Sequence, residues 1–276
     1  MASKLHRLIF KTGSRTYFTS SLFFPRAARE EVSVLYAFVR RADDFVDTIP
    51  QDKASFDQFA GMYRSALASG KASGDPVIDP FIGLLARRSF DPAWVEAFLG
   101  SMEMDTYKNE YHDIGETEKY IYGSAEVIGL MMARILGLPT EALPCARLQG
   151  KAMQYINFIR DLNEDLKLGR VYLPKDEIRR FGLASLDQDE TSRLPTEFKK
   201  FIDYQLARYE DWQDKAAEGF KYLPKRYLVP VKTAAEMYAW TAREIKKDPF
   251  IIYRKAVKPT WGRIIGRAIF EYLFNH

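Results

Sequence analysis

The chain has a single cysteine, Cys145, and only three histidines, His6, His112 and His276. One thiol excludes an internal disulfide, and histidines so scattered argue against a zinc site, so a reducing, cytoplasmic setting is expected. Glycine and proline are sparse, at 16 and 13 of 276 residues, and 47% of the chain is hydrophobic. That balance rules out collagen-like, low-complexity and disordered classes. No sign of charge dominates: 41 basic against 37 acidic side chains leave a net +4, spread along the chain, and nucleic acid is not expected as a partner. Long apolar runs are missing too. The most apolar stretch, 121–138, is broken by Glu126 and Arg134 and falls short of the roughly 20 residues that cross a bilayer. The first ten residues carry Lys4, His6 and Arg7 and lack the apolar region and cleavage site of a signal peptide.

What is present is helical spacing nearly everywhere, with no sustained alternation and no Asn-Gly or Asp-Gly hairpin signal. The expectation is an all-α fold in a single domain, residues 1–276. Asp91-Pro92 pairs a capping carboxylate with a first-turn proline ahead of Trp94, Val95, Phe98 and Leu99. Residues 70–80, Leu138-Pro139 and 183–195 read as loops. Near the C-terminus Ile264, Ile265, Ala268, Ile269, Tyr272 and Leu273 recur at helical spacing, beside Arg263 and Arg267 and after Lys255, Lys258 and Trp261. Such a helix either packs on its own domain or rests on a membrane surface, and both readings stand.

Two acidic clusters carry the functional signal. Val32, Leu35, Tyr36, Val39 and Ala42 form one apolar stripe, and the next positions on it are Asp43 and Val46, with Asp47 adjacent. Asp43 and Asp47, four apart, project from one side, while Asp44 points about 100° away. Like charges on an apolar stripe are costly unless a cation neutralises them, and hard divalent cations take carboxylate and phosphate oxygens. A solvated helix end is the plainer reading, weakened because acids at a helix C-terminus oppose its dipole. The second cluster is Gln154, Asn157, Asp161 and Asp165, a polar line whose neighbours Met153, Tyr155, Ile156, Phe158, Ile159 and Leu162 are apolar. Arg40 and Arg41 flank the first cluster. Arg160 and Arg170, beside the second, have the fork geometry to grip diphosphate oxygens.

These residues resemble the squalene and phytoene synthase family, the head-to-head prenyl diphosphate synthases. The similarity runs through Ser14-Arg15-Thr16-Tyr17, Leu22-Phe23-Phe24-Pro25 and the segment from Tyr36 to Asp47, then Tyr120-Ile121-Tyr122-Gly123-Ser124-Ala125, then the segment from Gln154 to Asp165 and on to Gly169-Arg170-Val171-Tyr172-Leu173-Pro174. The resemblance implies a class I isoprenoid synthase bundle around a deep apolar cavity. It implies that Asp43, Asp47, Asp161 and Asp165, with Asn157, hold Mg2+, or Mn2+ in its place, against the diphosphates of two prenyl substrates. Arg40, Gln154, Asn157, Arg160 and Arg170 would complete the polar rim, and Ser14, Arg15 and Thr16 would add diphosphate contacts. Tyr122 matches the tyrosine placed near the first step, with a core tyrosine as the equally weighted alternative; Tyr238 and Arg254 rank below it. Glu126 stands where many relatives have glycine, either narrowing the cavity or pairing with Arg134. Phe18, Phe38 and Leu130 are candidates for the cavity wall.

The reaction implied joins two geranylgeranyl diphosphates to phytoene through a cyclopropylcarbinyl diphosphate, without NADPH. The alternative uses farnesyl diphosphate to make presqualene diphosphate, dehydrosqualene or squalene, the last requiring NADPH. A non-catalytic assembly protein ranks lower because all four aspartates are in place. Prenyl diphosphates are the expected partners, with a peripheral membrane surface as a second.

Overall fold

The computed structural model describes residues 2–274, with Arg15 described by its backbone alone; His276 and the side chain of Arg15 lie outside the described residues. The helices run α1 (Lys4–Gly13), α2 (Arg15–Ser21), α3 (Arg26–Asp47), α4 (Lys53–Ser69), α5 (Ile78–Arg88), α6 (Pro92–Met104), α7 (Ile114–Ile121), α8 (Val127–Leu136), α9 (Leu143–Arg160), α10 (Leu162–Lys167), α11 (Lys175–Arg180), α12 (Gln188–Arg193), α13 (Pro195–Ala217), α14 (Lys225–Lys247), α15 (Ile251–Arg254) and α16 (Trp261–Phe274). Among the described residues there is no strand, only an isolated bridge between Glu110 and Val171. No helix there is long and apolar enough to cross a membrane. The 183–195 segment, expected as a loop, contains the short α12; its polar composition hides one helical turn set against α13.

Local chemistry sets the boundaries. Ser14 caps α2 by accepting from the Tyr17 amide at 3.2 Å, and Asp91 caps α6 by accepting from Ala93 at 2.9 Å ahead of Pro92. Helix α8 stops where Gly137 turns left-handed at φ +67°, before Leu138-Pro139. Between α7 and α8 the chain makes a π-helical turn, Tyr122–Glu126, which widens the helix by a residue. Close packing explains the glycines around it. A Cβ on Gly123 would stand 2.1 Å from the Ala97 carbonyl, and one on Gly150 would stand 2.3 Å from that of Ala125. The π-turn is thus pressed between α6 and α9.

A main core runs through the bundle, beside a small second cluster of Ala28, Leu136 and Tyr227. Phe38 stacks on Phe81 at 3.8 Å between ring centroids, deep in the α3–α5 contact, so it is core and not cavity wall. Helix α9 packs along α13, α8 and the π-turn, which leaves its remaining face, and one face of α3, lining an internal cavity.

Candidate active site

The cavity measures about 1040 Å³, at the upper end of the few hundred to ~1,000 Å³ usual for small-molecule sites. Its lining residues on α3 run from Val32 through Leu35, Tyr36 and Val39 to Arg40, Asp43 and Asp47. On α9 they run from Cys145 through Gly150 and Met153 to Gln154, Asn157 and, at the helix end, Asp161. Both helices therefore change from apolar to acidic toward their C-termini. At 1.5 Å per residue the seven-residue step from Val32 to Val39 gives the apolar lining of α3 a length of about 10 Å.

At the acidic end Asp43, Asp47 and Asp161 each have an arginine. Arg40 donates to Asp43 at 2.8 Å and pairs with Asp44 at 2.6 Å. Arg160 forks onto Asp161, and Arg170 donates to Asp47 at 2.8 Å and to the Val46 carbonyl. Among the described residues Asp165 has no such ion pair of its own. Burial, together with Asp47, pushes the Asp43 carboxyl up to about 7. Burial, with Asp161 and Asp47, pushes Asp165 up to about 8. The three arginines thus do not offset burial and the repulsion between carboxylates across the mouth, and both groups favour the neutral form.

Three side chains here were not singled out by sequence reading as site residues. Asp105, at the end of α6, is buried and accepts from Tyr120 at 2.6 Å and from Tyr172 at 2.8 Å. Burial lifts its carboxyl to about 6, against the opposing pull of Arg170 and the two tyrosine hydroxyls. The signal was present: Asp105 continues the Phe98, Met102 stripe of α6 just as Asp43 continues that of α3. Tyr120 and Tyr172 stand within the quoted segments, and both line the cavity. Tyr17, Tyr36 and Tyr238 line it as well, with the Tyr17 and Tyr238 rings 5.7 Å apart.

Of the residues read from sequence, the structure brings Ser14, Thr16, Arg40, Asp43, Asp47, Gln154, Asn157, Arg160, Asp161, Asp165 and Arg170 to one cavity. Tyr122 is not among them. Its ring is exposed on the outer surface beneath the Arg147 guanidinium, 5.4 Å away. Two residues along a helix turn a side chain by about 200°, so Tyr120 and Tyr122 cannot both face inward, and it is Tyr120 that does. Arg254 pairs with Asp248 at the surface. Glu126 neither narrows the cavity nor meets Arg134; it is buried on the far side of the π-turn, 2.7 Å from Arg147 and 3.8 Å from Lys151. Phe18 and Leu130 also stay out of the wall, which uses Phe98, Met102, Ile128, Met132, Phe158 and Val231 instead.

No three of the described His, Cys, Asp or Glu side chains stand close enough together to hold one metal ion by themselves. The donor set nevertheless fits Mg2+, which is held by one or two carboxylates and completed by substrate phosphates. The Oδ1 of Asn157 is buried without a hydrogen-bond partner while its amide donates to Gln154, so an acceptor for a cation is left over beside the carboxylates.

Comparison with known proteins agrees with this geometry. The model of the squalene/phytoene synthase family matches residues 10–264. A 15-cis-phytoene synthase of Synechococcus elongatus is 25% identical over 272 residues, covering 93% of this chain and 88% of that protein. One from a Paracoccus species is 28% identical, covering 92% and 85%. Among solved structures, a dehydrosqualene synthase with a bound ligand superposes with TM-score 0.84 at 22% identity, over 99% of this chain and 96% of that one. A squalene synthase from Alicyclobacillus acidocaldarius gives 0.79 at 22%, over 90% and 94%. With its all-helical bundle and carboxylate-rimmed cavity, the chain belongs to the squalene/phytoene synthase family and is a prenyltransferase of that type.

Proposed function

We propose that the chain condenses two geranylgeranyl diphosphates head to head into phytoene. The observation that carries this reading is a cavity of about 1040 Å³ with a carboxylate and arginine mouth that continues into an apolar space. The relatives named phytoene synthases support the C20 substrate. In the first step one diphosphate leaves, a carbon–carbon bond closes a cyclopropane and a proton is lost. In the second the remaining diphosphate leaves, the cation rearranges to a 1'-1 linked chain, and a second proton is lost. No electrons are gained, so no NADPH is needed.

Asp43, Asp47, Asp161, Asp165 and Asn157 would hold Mg2+, whose charge stabilises the departing diphosphate. The residues of the chain supply the rest. Arg40, Arg160 and Arg170 stand beside those carboxylates with donors suited to diphosphate oxygens. Tyr120 lines the cavity and its phenol donates to Asp105, which suits it to relay a proton from the cavity to that carboxylate. Burial raises Tyr120 well above the ordinary phenol value, which keeps it neutral. Phe98, Phe158 and the aliphatic wall exclude water, so an allylic cation meets no external nucleophile.

Farnesyl diphosphate is the second reading, favoured by the fold's likeness to a dehydrosqualene synthase and a squalene synthase. The test is incubation of the purified chain with Mg2+ and each diphosphate, with and without NADPH, and mass spectrometry of the hydrocarbon. Phytoene from the C20 substrate without NADPH supports the proposal. Only C30 product would transfer it to farnesyl diphosphate, and full biological function in folded Asp43→Ala and Asp161→Ala variants would replace catalysis with an assembly role.

A further inference from the structure

Helix α16 packs through Ile264, Ala268 and Glu271 onto α14 and α2. Its other side is apolar and open. Trp261, Ile265, Ile269 and Leu273 recur every four residues along it, with Phe270 and Phe274 beside them, and each of the six is more than two-fifths exposed. A soluble face would carry polar residues at this spacing, so the stripe calls for a covering. The helix has 14 residues, too short to cross a bilayer, and its stripe runs parallel to the surface of the bundle.

Charge and position select the occupant. From Lys255 to Phe274 the sequence holds one acid, Glu271, which is buried and paired with Arg267, while Lys255, Lys258 and Arg263 are exposed. A second copy of this chain packed on the stripe about a twofold axis would bring these cations toward their own images. An anionic bilayer meets apolar side chains and cations at once. The segment leading into α16 also borders the cavity: Ala256, Lys258 and Trp261 all line it. Trp261 therefore belongs to both the stripe and the cavity wall.

We infer that the outer face of α16 docks on an anionic lipid surface, lying in its plane and holding the cavity against the lipid–water boundary. The docking rests on the surface of α16 and the cations that lead into it. Its use, delivery of a substrate with a lipid tail from the bilayer to the cavity, rests on the function proposed above.

The test is flotation of the full chain with phosphatidylcholine vesicles made with and without phosphatidylglycerol. The wild type is expected to float with the anionic vesicles and to be released as salt rises. A variant combining Ile269→Glu and Phe270→Glu is expected to lose at least tenfold in partitioning, whereas Leu8→Glu, which removes an exposed leucine on α1, leaves it unchanged. Both variants change exposed positions outside the cavity, and turnover of detergent-dispersed prenyl diphosphate should equal that of the wild type. Equal flotation on both vesicle types, flotation of the double variant like wild type, or a wild-type dimer that the double variant turns into a monomer would each overturn the inference. Flotation needs no turnover, so absence of any prenyl product would count against the proposed reaction and leave the docking result readable.

Discussion

Asp105 is held ionised in a place that opposes ionisation, and replacing it by asparagine should make the protein more stable and less active. Burial lifts its carboxyl from the ordinary 3.8 to about 6, even after Arg170, Tyr120 and Tyr172 have favoured the charged form. The folded state therefore binds a proton that the unfolded state releases between those two values. Stability falls as pH rises through that window and stays low above it; at ~1.4 kcal/mol per pH decade the charge costs about 3 kcal/mol at pH 7. The Asp105→Asn side chain escapes that cost but turns an amide NH2 toward one tyrosine hydroxyl, losing about 1 kcal/mol. The expected net is a gain of roughly 1–2 kcal/mol at pH 7 that vanishes near pH 4. Urea unfolding of both proteins between pH 4 and 8, in chelator so that no cation alters the site, measures it. Turnover should fall by about 10²-fold, because the Tyr120 hydroxyl loses the acceptor that orients it. A variant less stable than wild type at pH 7, or a difference that does not change with pH, would refute the reasoning.

Three further outcomes follow from the same contacts. Tyr122→Phe should retain wild-type turnover, since its ring lies outside the cavity, while Tyr120→Phe should lose about 10²-fold with unchanged melting temperature within a few degrees. Burial acts to raise the Glu177 carboxyl, but hydrogen bonds from Arg208 and Gln205 more than offset this, leaving it below its ordinary value; the stability it contributes is present above the ordinary carboxylate range and is lost as pH falls. Glu177→Gln strands the Arg208 charge and should cost about 3–5 kcal/mol, which thermal unfolding would show as a fall of roughly 10 °C. Cys145→Phe adds a ring within the apolar part of the cavity, and competition between the C20 and C15 diphosphates should then shift toward C15 product; an unchanged ratio would place the limit on chain length elsewhere.

Periodicity along single helices was enough for the class of fold and for most of the acidic rim. Asp43 and Asp47 continue an apolar stripe, and Asn157, Asp161 and Asp165 follow at intervals of four, so most of the rim is displayed by spacing, although α9 ends at Arg160 and Asp165 stands on α10. Asp105 carries the same signature on α6 and was legible by the same rule. The orientation of the tyrosine pair was not: one inserted π-turn and the pressing of Gly123 and Gly150 against neighbouring carbonyls set which of Tyr120 and Tyr122 faces inward. Nor could spacing distinguish Phe38 as core from Met132 as wall, because both are apolar residues on buried faces and the difference is which helix packs against them. Partners brought together from distant segments, Arg170 with Asp47 and Glu126 with Arg147, are set by helix packing alone. Helices and the faces they bury follow from local geometry and so are written in the order of residues; what each face meets depends on residues far away along the chain and follows only from packing.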